Sequence, residues 1–156
     1  MLSARASGFV RIGRLGELRL QSGFYVYVGS ALGPGGVRAR LAHHLEPSRR
    51  PHWHIDYLRR HTALEEVWYC YDRTPWEHEW ARHIGTAPGA SMPLAGFGSS
   101  DCGCESHLYF FESRPPRDGF VRSFAGVLPQ ASSAGFCQRK FLRPSLKRSI
   151  CWSSSL

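Results

Sequence analysis

"SGFYVYVGSALG", residues 22–33, sets two tyrosines and two valines between glycines. In an extended chain successive side chains point to opposite faces, so Tyr25, Tyr27 and Gly29 share one face and Val26 and Val28 the other. The valines read as core. The two phenols, ending at an abrupt Gly-Ser-Ala break, read either as half-buried packing or as a working surface. The segment is predicted to be a strand over 24–28. The glycine-rich loop after it, which contains Pro34, delivers a helix from about Gly36 to Leu45. Val37, Leu41 and Leu45 are spaced i, i+4, i+8, so one stripe of that helix is expected to pack inward. Arg40 and His44 flank the stripe one helical turn apart.

Upstream, residues 9–20 read as strand, turn, strand, punctuated by Gly13 and Gly16. Downstream, a polar connection leads to Pro51, which suits the first turn of a second helix over 52–61. Asp56 is spaced i, i+4 from both His52 and Arg60, so it can orient the imidazole or pair with the guanidinium. "LEEVWYCY", 64–71, is aromatic and β-branched enough for a strand. "TPWEHEWARHIG" opens a third helix, with Thr74 as N-cap, Pro75 at N1, Glu77 closing a capping box and Gly85 as the stop. After a loop over 87–100, a last strand is expected at 107–111. The order predicts a small α+β domain over 1–113 with a mainly antiparallel three-stranded sheet flanked by helices. Residues 114–156, rich in Pro, Ser and Arg, read as a poorly ordered basic tail.

Of 156 residues 42% are hydrophobic, enough for one domain with a real core. The sequence has neither an apolar run of membrane-spanning length nor a signal-peptide pattern, so a cytoplasmic protein is expected. The five cysteines then read as reduced thiols rather than a disulfide framework. The net charge of +8 is mostly the tail's, which holds eight Lys and Arg against one Asp. Within the body, residues 38–60 carry six arginines against Glu46 and Asp56, with four histidines interleaved. That patch, with Arg38, Arg49, Arg50, His52 and His54, points to a polyanion.

Each constellation also has a plainer reading. The loop 29–36 lacks the Gly-Lys-Ser/Thr ending of a phosphate-binding P-loop and is read as a tight strand-to-helix turn. Cys102, Cys104 and His107 form C-x-C-x-x-H, but zinc is disfavoured because structural sites usually carry wider cysteine spacing and a second ligand pair. The preferred reading is a turn of small buried cysteines. Glu77 reads first as a cap and second as a metal ligand; Glu79 has no capping duty. Together, a Tyr-Val-Gly strand end, Arg40 with His44, and a carboxylate on a later helix are the parts that phosphodiester hydrolysis needs: a base, a cation for the phosphate, and a metal ligand.

The ordered set "GRLGELRLQSGFYVYVGSALG", "RARLAHHL", "HWHIDYL", "EHEWA" and "GFGSSDCGCESHL", covering about two thirds of the chain, resembles the GIY-YIG endonuclease superfamily and its small stand-alone Uri-like branch. The resemblance implies a three-stranded antiparallel sheet with one shallow active site acting on DNA, including branched or damaged DNA. It implies Tyr27 as base or water orienter, with Tyr25 on the same face. Arg40 would then sit on the phosphate, His44 would assist proton transfer, and Glu77 or Glu79 would hold Mg²⁺ or Mn²⁺. A tyrosine ionises near ~10, so Tyr27 needs a neighbouring cation to act as base, and Arg40 is the nearest candidate. The family's first Gly-x-Tyr strand has no counterpart in the twelve residues before Gly13, so that strand and one phenol are expected to be missing. Two other readings follow: a nucleic-acid-binding module impaired in catalysis, and a zinc-stabilised interaction domain.

Overall fold

The computed structural model describes residues 1–46, 48–69, 74–115 and 138–141, the last by backbone only. At its centre is β4 (Gly23–Tyr27), the predicted Tyr-Val strand. It pairs antiparallel with β1 (Leu2–Ala4) on one side and with β7 (Leu108–Phe111) on the other. A fourth strand, β5 (Ala63–Leu64), extends the sheet beyond β1, giving the order β5-β1-β4-β7.

The sheet therefore has four strands rather than three, and the position beside β4 is filled. Three residues, Leu-Ser-Ala, are too few to show an alternation pattern, yet Leu2 and Ala4 both face the core, and that burial fixes the register. The predicted strand at 64–71 divides. Its first part joins the sheet as β5, whereas β6 (Glu66–Tyr69) leaves it and pairs antiparallel with β8 (Gln138–Phe141). Glu66 marks the divide. Its side chain is buried, accepts from the Trp68 indole at 2.9 Å and faces Arg114 at 3.5 Å. β8 lies inside the stretch read as an unordered tail; the rest of that stretch beyond residue 115 lies outside the described residues.

The predicted alternation divides the core. Tyr25, Leu108 and Phe110 face one side, where β2 (Gly8–Ile12) and β3 (Gly16–Leu20) form a separate hairpin contributing Val10, Ile12, Leu18 and Leu20. Ile55 and Leu58 of α2 (His54–Arg59) and the fully buried Phe97 close this side. Val26, Val28 and Phe111 face the other side, against Ala81 and Ile84 of α3 (Glu77–Gly85).

Two helices differ from expectation at their ends. α2 covers His54–Arg59, shorter than 52–61, because Asp56 folds back on the backbone before it. α3 begins at Glu77 behind Trp76, with no side-chain cap, so Glu77 is the first helical residue and not the closing member of a capping box. Gly85 stays helical; its missing Cβ is what admits the Tyr109 ring, since a Cβ there would stand 2.6 Å from that ring. α1 (Gly36–Leu45) runs where predicted, but Val37, Leu41 and Leu45 are only half-buried. Val37 and Leu41 line an open cleft of about 130 Å³ instead of meeting the core.

Candidate functional site

That cleft lies between α1 on one wall and Val67, Trp68, Tyr69 and Trp80 on the other, floored by Val26, Val28 and Ile84. Tyr27, Gly29, Arg40 and His44 are all on its lining. Arg40 Nη2 stands 3.4 Å from the Tyr27 hydroxyl, and the His44 ring meets the Tyr27 ring edge-on at 6.0 Å. The structure thus brings together three residues that the sequence singled out, from a strand end and from two successive turns of α1.

The glycine of Tyr-Val-Gly has its reason here. A Cβ on Gly29 would stand 3.1 Å from the Tyr27 ring, 3.2 Å from Arg40 Nη2 and 3.3 Å from the Tyr27 hydroxyl. Gly98 backs the same phenol from behind: it adopts φ +72°, and a Cβ there would meet Tyr27 at 2.9 Å. The paired phenols therefore divide in role. Tyr25 is fully buried, its hydroxyl accepting from the Gln21 N–H and donating to the Gln21 carbonyl, so it closes a turn and does not reach the site. Tyr27 keeps its hydroxyl at the cleft.

Electrostatics decide what each group can do. Burial raises the Tyr27 pKa, and the nearby Arg40, acting in the opposite sense, does not offset it. Tyr27 is thus a neutral phenol near pH 7, suited to orienting a water rather than abstracting its proton. His44 is pushed down to about 4, first by burial and then by the positive charge of Arg40 and by His43, against an opposing pull from Asp56. It is a neutral imidazole able to accept a proton. Because the unfolded chain protonates this histidine near ~6.5 and the native one only near 4, stability is lost as pH falls across that interval, by up to about 3 kcal/mol. Urea unfolding at pH 7 and pH 4.5 should therefore show His44→Gln losing about 2 kcal/mol less than the wild type. Equal losses in the two proteins would contradict this assignment.

Arg40 is held from a second side. Its guanidinium lies 4.3 Å above the ring of Trp53, which is 41% exposed, and its Nε is buried with no hydrogen-bond partner among the described residues. The platform beneath is built by Asp56. This buried carboxylate accepts from the backbone N–H groups of His52 and Trp53 at 2.9 and 3.0 Å, and a 2.6 Å hydrogen bond joins it to His43 Nε2. Burial opposes its ionisation, but these bonds outweigh burial and its pKa falls. Asp56 thus orients His43 rather than the His52 imidazole. Arg60 turns instead to the carbonyls of Ser48 and Arg49. Arg59, buried, donates to the carbonyls of His44 at 3.2 Å and Thr62 at 2.8 Å, tying the end of α1 to the end of α2.

The remaining expected site residues separate. Arg38, Arg49, Arg50 and His52 are exposed on α1 and the connection to α2, and the His52 ring lies 5.9 Å from that of Trp53. His54 is inside: its Nδ1 accepts from the Gly98 N–H at 3.0 Å, so it pins the loop behind Tyr27 instead of facing a ligand. Glu79 is spent on a 2.6 Å surface ion pair with Arg82. Glu77, free of capping, is close enough for its charge to act on Tyr27, and its carboxylate stands 3.8 Å from His78 Nε2.

Cys102, Cys104 and His107 do converge, and a fourth residue joins them. The candidate ligand atoms of His78, Cys102, Cys104 and His107 all lie within 4.8 Å of one another, a cluster able to hold a metal. His78 was not singled out in the sequence. It sits in "EHEW" at the start of α3, 24 residues before Cys102, and only the packing of α3 on β7 brings it across. Among the described residues no helix is long and apolar enough to cross a membrane.

No curated protein and no solved structure matches the chain. A family model does, over residues 1–127, which include the sheet, the cleft and the His/Cys cluster. The chain belongs to that family, the domain of unknown function DUF123.

Proposed function

We propose that this domain hydrolyses phosphodiester bonds in DNA, acting in the cytoplasm as a small GIY-YIG-like endonuclease. The observation that carries the reading is the meeting of Tyr27, Arg40 and His44 over a glycine where a Cβ would crowd both Tyr27 and Arg40. The buried Arg40 Nε without a partner adds to it, because such a donor is satisfied by an anion such as a phosphate oxygen.

In this reading Arg40 grips a non-bridging phosphate oxygen and stabilises the charge that builds there in the transition state. The Tyr27 hydroxyl orients the attacking water, and neutral His44 accepts its proton as the new phosphorus–oxygen bond forms and the bond to the leaving sugar oxygen breaks. Glu77 is the residue that would hold a divalent cation. A single half-buried carboxylate fits Mg²⁺ or Mn²⁺, which bind through one or two carboxylates with phosphate oxygens and water completing the shell. When bound, the ion neutralises charge on the phosphate and its leaving oxygen. Trp53, Arg38, Arg49, Arg50 and His52 then offer the strand an aromatic platform and a basic rim.

Purified protein with Mn²⁺ or Mg²⁺ is expected to nick supercoiled plasmid or branched DNA. Absence of cleavage under any divalent metal, in protein shown to be folded, overturns the reading. A second reading, a binding module impaired in catalysis, draws on one observation: β1, the strand beside β4, is Leu-Ser-Ala and brings no second phenol. It expects DNA binding that weakens steeply with salt and no cleavage.

A further inference from the structure

We propose that His78, Cys102, Cys104 and His107 form a tetrahedral zinc site with a structural role. The inference stands apart from the nuclease reading, since it rests on a different cluster of residues. The first support is metric. With zinc bonds of about 2.3 Å to sulfur and 2.0–2.1 Å to nitrogen, the edges of a tetrahedron are roughly 3.3 to 3.8 Å. Cys104 Sγ stands 3.3 Å from His78 Nδ1, and Cys102 Sγ stands 3.5 Å from His107 Nε2. Two of the edges are therefore already at the length a bound ion would set, and all four donors lie within 4.8 Å.

Chemistry narrows the ion. Two thiols and two imidazoles form a borderline-soft set, poor for Mg²⁺ or Ca²⁺ and suited to Zn²⁺. Four protein donors close the coordination shell, which is the mark of a structural site, whereas a catalytic one keeps a position open. The outer contacts also fit. With Nδ1 of His78 turned to Cys104, its Nε2 points away from the cluster and lies 3.8 Å from the Glu77 carboxylate, so the second ring nitrogen has an acidic neighbour without a direct hydrogen bond to it. The backbone of His107 is fixed on both sides, its N–H donating to the Phe97 carbonyl and its carbonyl accepting from Val28 N–H. The plainer reading, a turn of small buried cysteines, does not fit, because both thiols are partly exposed and face imidazole nitrogens.

The site joins three separate segments of the chain. α3 supplies His78, the loop before β7 supplies both cysteines, and His107 leads into β7 itself. Through the Val28 bond the cluster is also tied to the end of β4, next to Tyr27 and Gly29. Zinc would thus clamp the start of α3 to the strand end that forms the cleft.

Full-length protein purified without chelators is expected to carry about one equivalent of zinc by elemental analysis. Protein stripped of metal should take up Co²⁺ with the intense d–d and thiolate charge-transfer bands of a tetrahedral S₂N₂ site. Stripping should also lower the thermal midpoint, and added Zn²⁺ should restore it. The double variant Cys102→Ser, Cys104→Ser should lose the metal, while His78→Cys, which keeps four soft donors, should retain it. Metal-free protein that binds neither Zn²⁺ nor Co²⁺ overturns the proposal. So does a Cys102–Cys104 disulfide located by peptide mapping of the purified protein, or full zinc content in the double serine variant. None of these readouts depends on DNA cleavage, so the nuclease reading and the zinc site can fail separately.

Discussion

Arg40→Ala is expected to lower DNA nicking by at least about 100-fold while the protein stays folded. The size follows from where the guanidinium sits. It donates to the Tyr27 hydroxyl at 3.4 Å, and its Nε is a buried donor that nothing among the described residues satisfies. α1 carries no fully buried residue, so truncating Arg40 removes contacts along a cleft wall and leaves the core alone. Arg40→Lys separates charge from geometry. Lysine keeps the charge but neither the fork that matches a phosphate nor the flat face that lies on Trp53, so only part of the activity should return. Gly29→Ala probes the same site from below. Its Cβ would press on both the Tyr27 ring and Arg40 Nη2, so nicking should fall about 10-fold or more as the two shift, without comparable loss of stability. Plasmid nicking rates beside circular dichroism would settle the matter, and full activity in Arg40→Ala would sink the assignment.

Much of this site could be read from the sequence because its parts are local. Tyr27, Val28 and Gly29 lie on one strand end, and Arg40 and His44 lie one turn apart on one helix, so periodicity alone fixes which of them share a face. Even the division of the two core faces follows from the alternation in 24–28. What the sequence did not yield depends on distant packing. β1 is three residues long and becomes a strand only through its partners β4 and β5. Glu77 matched a capping box by spacing, yet the helix starts two residues later than the box requires. His78 is ordinary in its own segment and gains meaning only once α3 lies against the cysteine turn. His43 illustrates the same point: i, i+4 spacing directed Asp56 toward His52 or Arg60, but the carboxylate bonds a histidine 13 residues away on another helix. Local rules state which contacts a segment permits, and tertiary packing selects among them.

Asp56→Ala should destabilise the protein by about 4 kcal/mol at pH 7, the scale seen when one partner is removed from a buried charged network. Asp56 is 2% exposed and its two oxygens serve three donors: the N–H groups of His52 and Trp53 and the ring of His43. Alanine leaves all three without that acceptor at the buried Asp56 position, which costs more than the bonds contributed. Asp56→Asn keeps the shape and one acceptor oxygen, so the loss should be smaller, about 1–2 kcal/mol. The acid limb distinguishes a charge effect from a packing effect. The Asp56 pKa is held below its ordinary 3.8, so the stability it contributes is present above that value and is lost as pH falls through the lower, native one. Asp56→Asn should therefore flatten the stability profile in that most acid window, while the His44 interval persists and its lower end moves further down, because the Asp56 charge opposes the fall of the His44 pKa. Both variants should also loosen Trp53 beneath Arg40 and reduce nicking, since the carboxylate is what fixes the Trp53 backbone. Urea unfolding followed by circular dichroism across pH 3 to 7 measures each part, and a loss below about 1 kcal/mol in Asp56→Ala would show that the network does not carry the weight its burial implies.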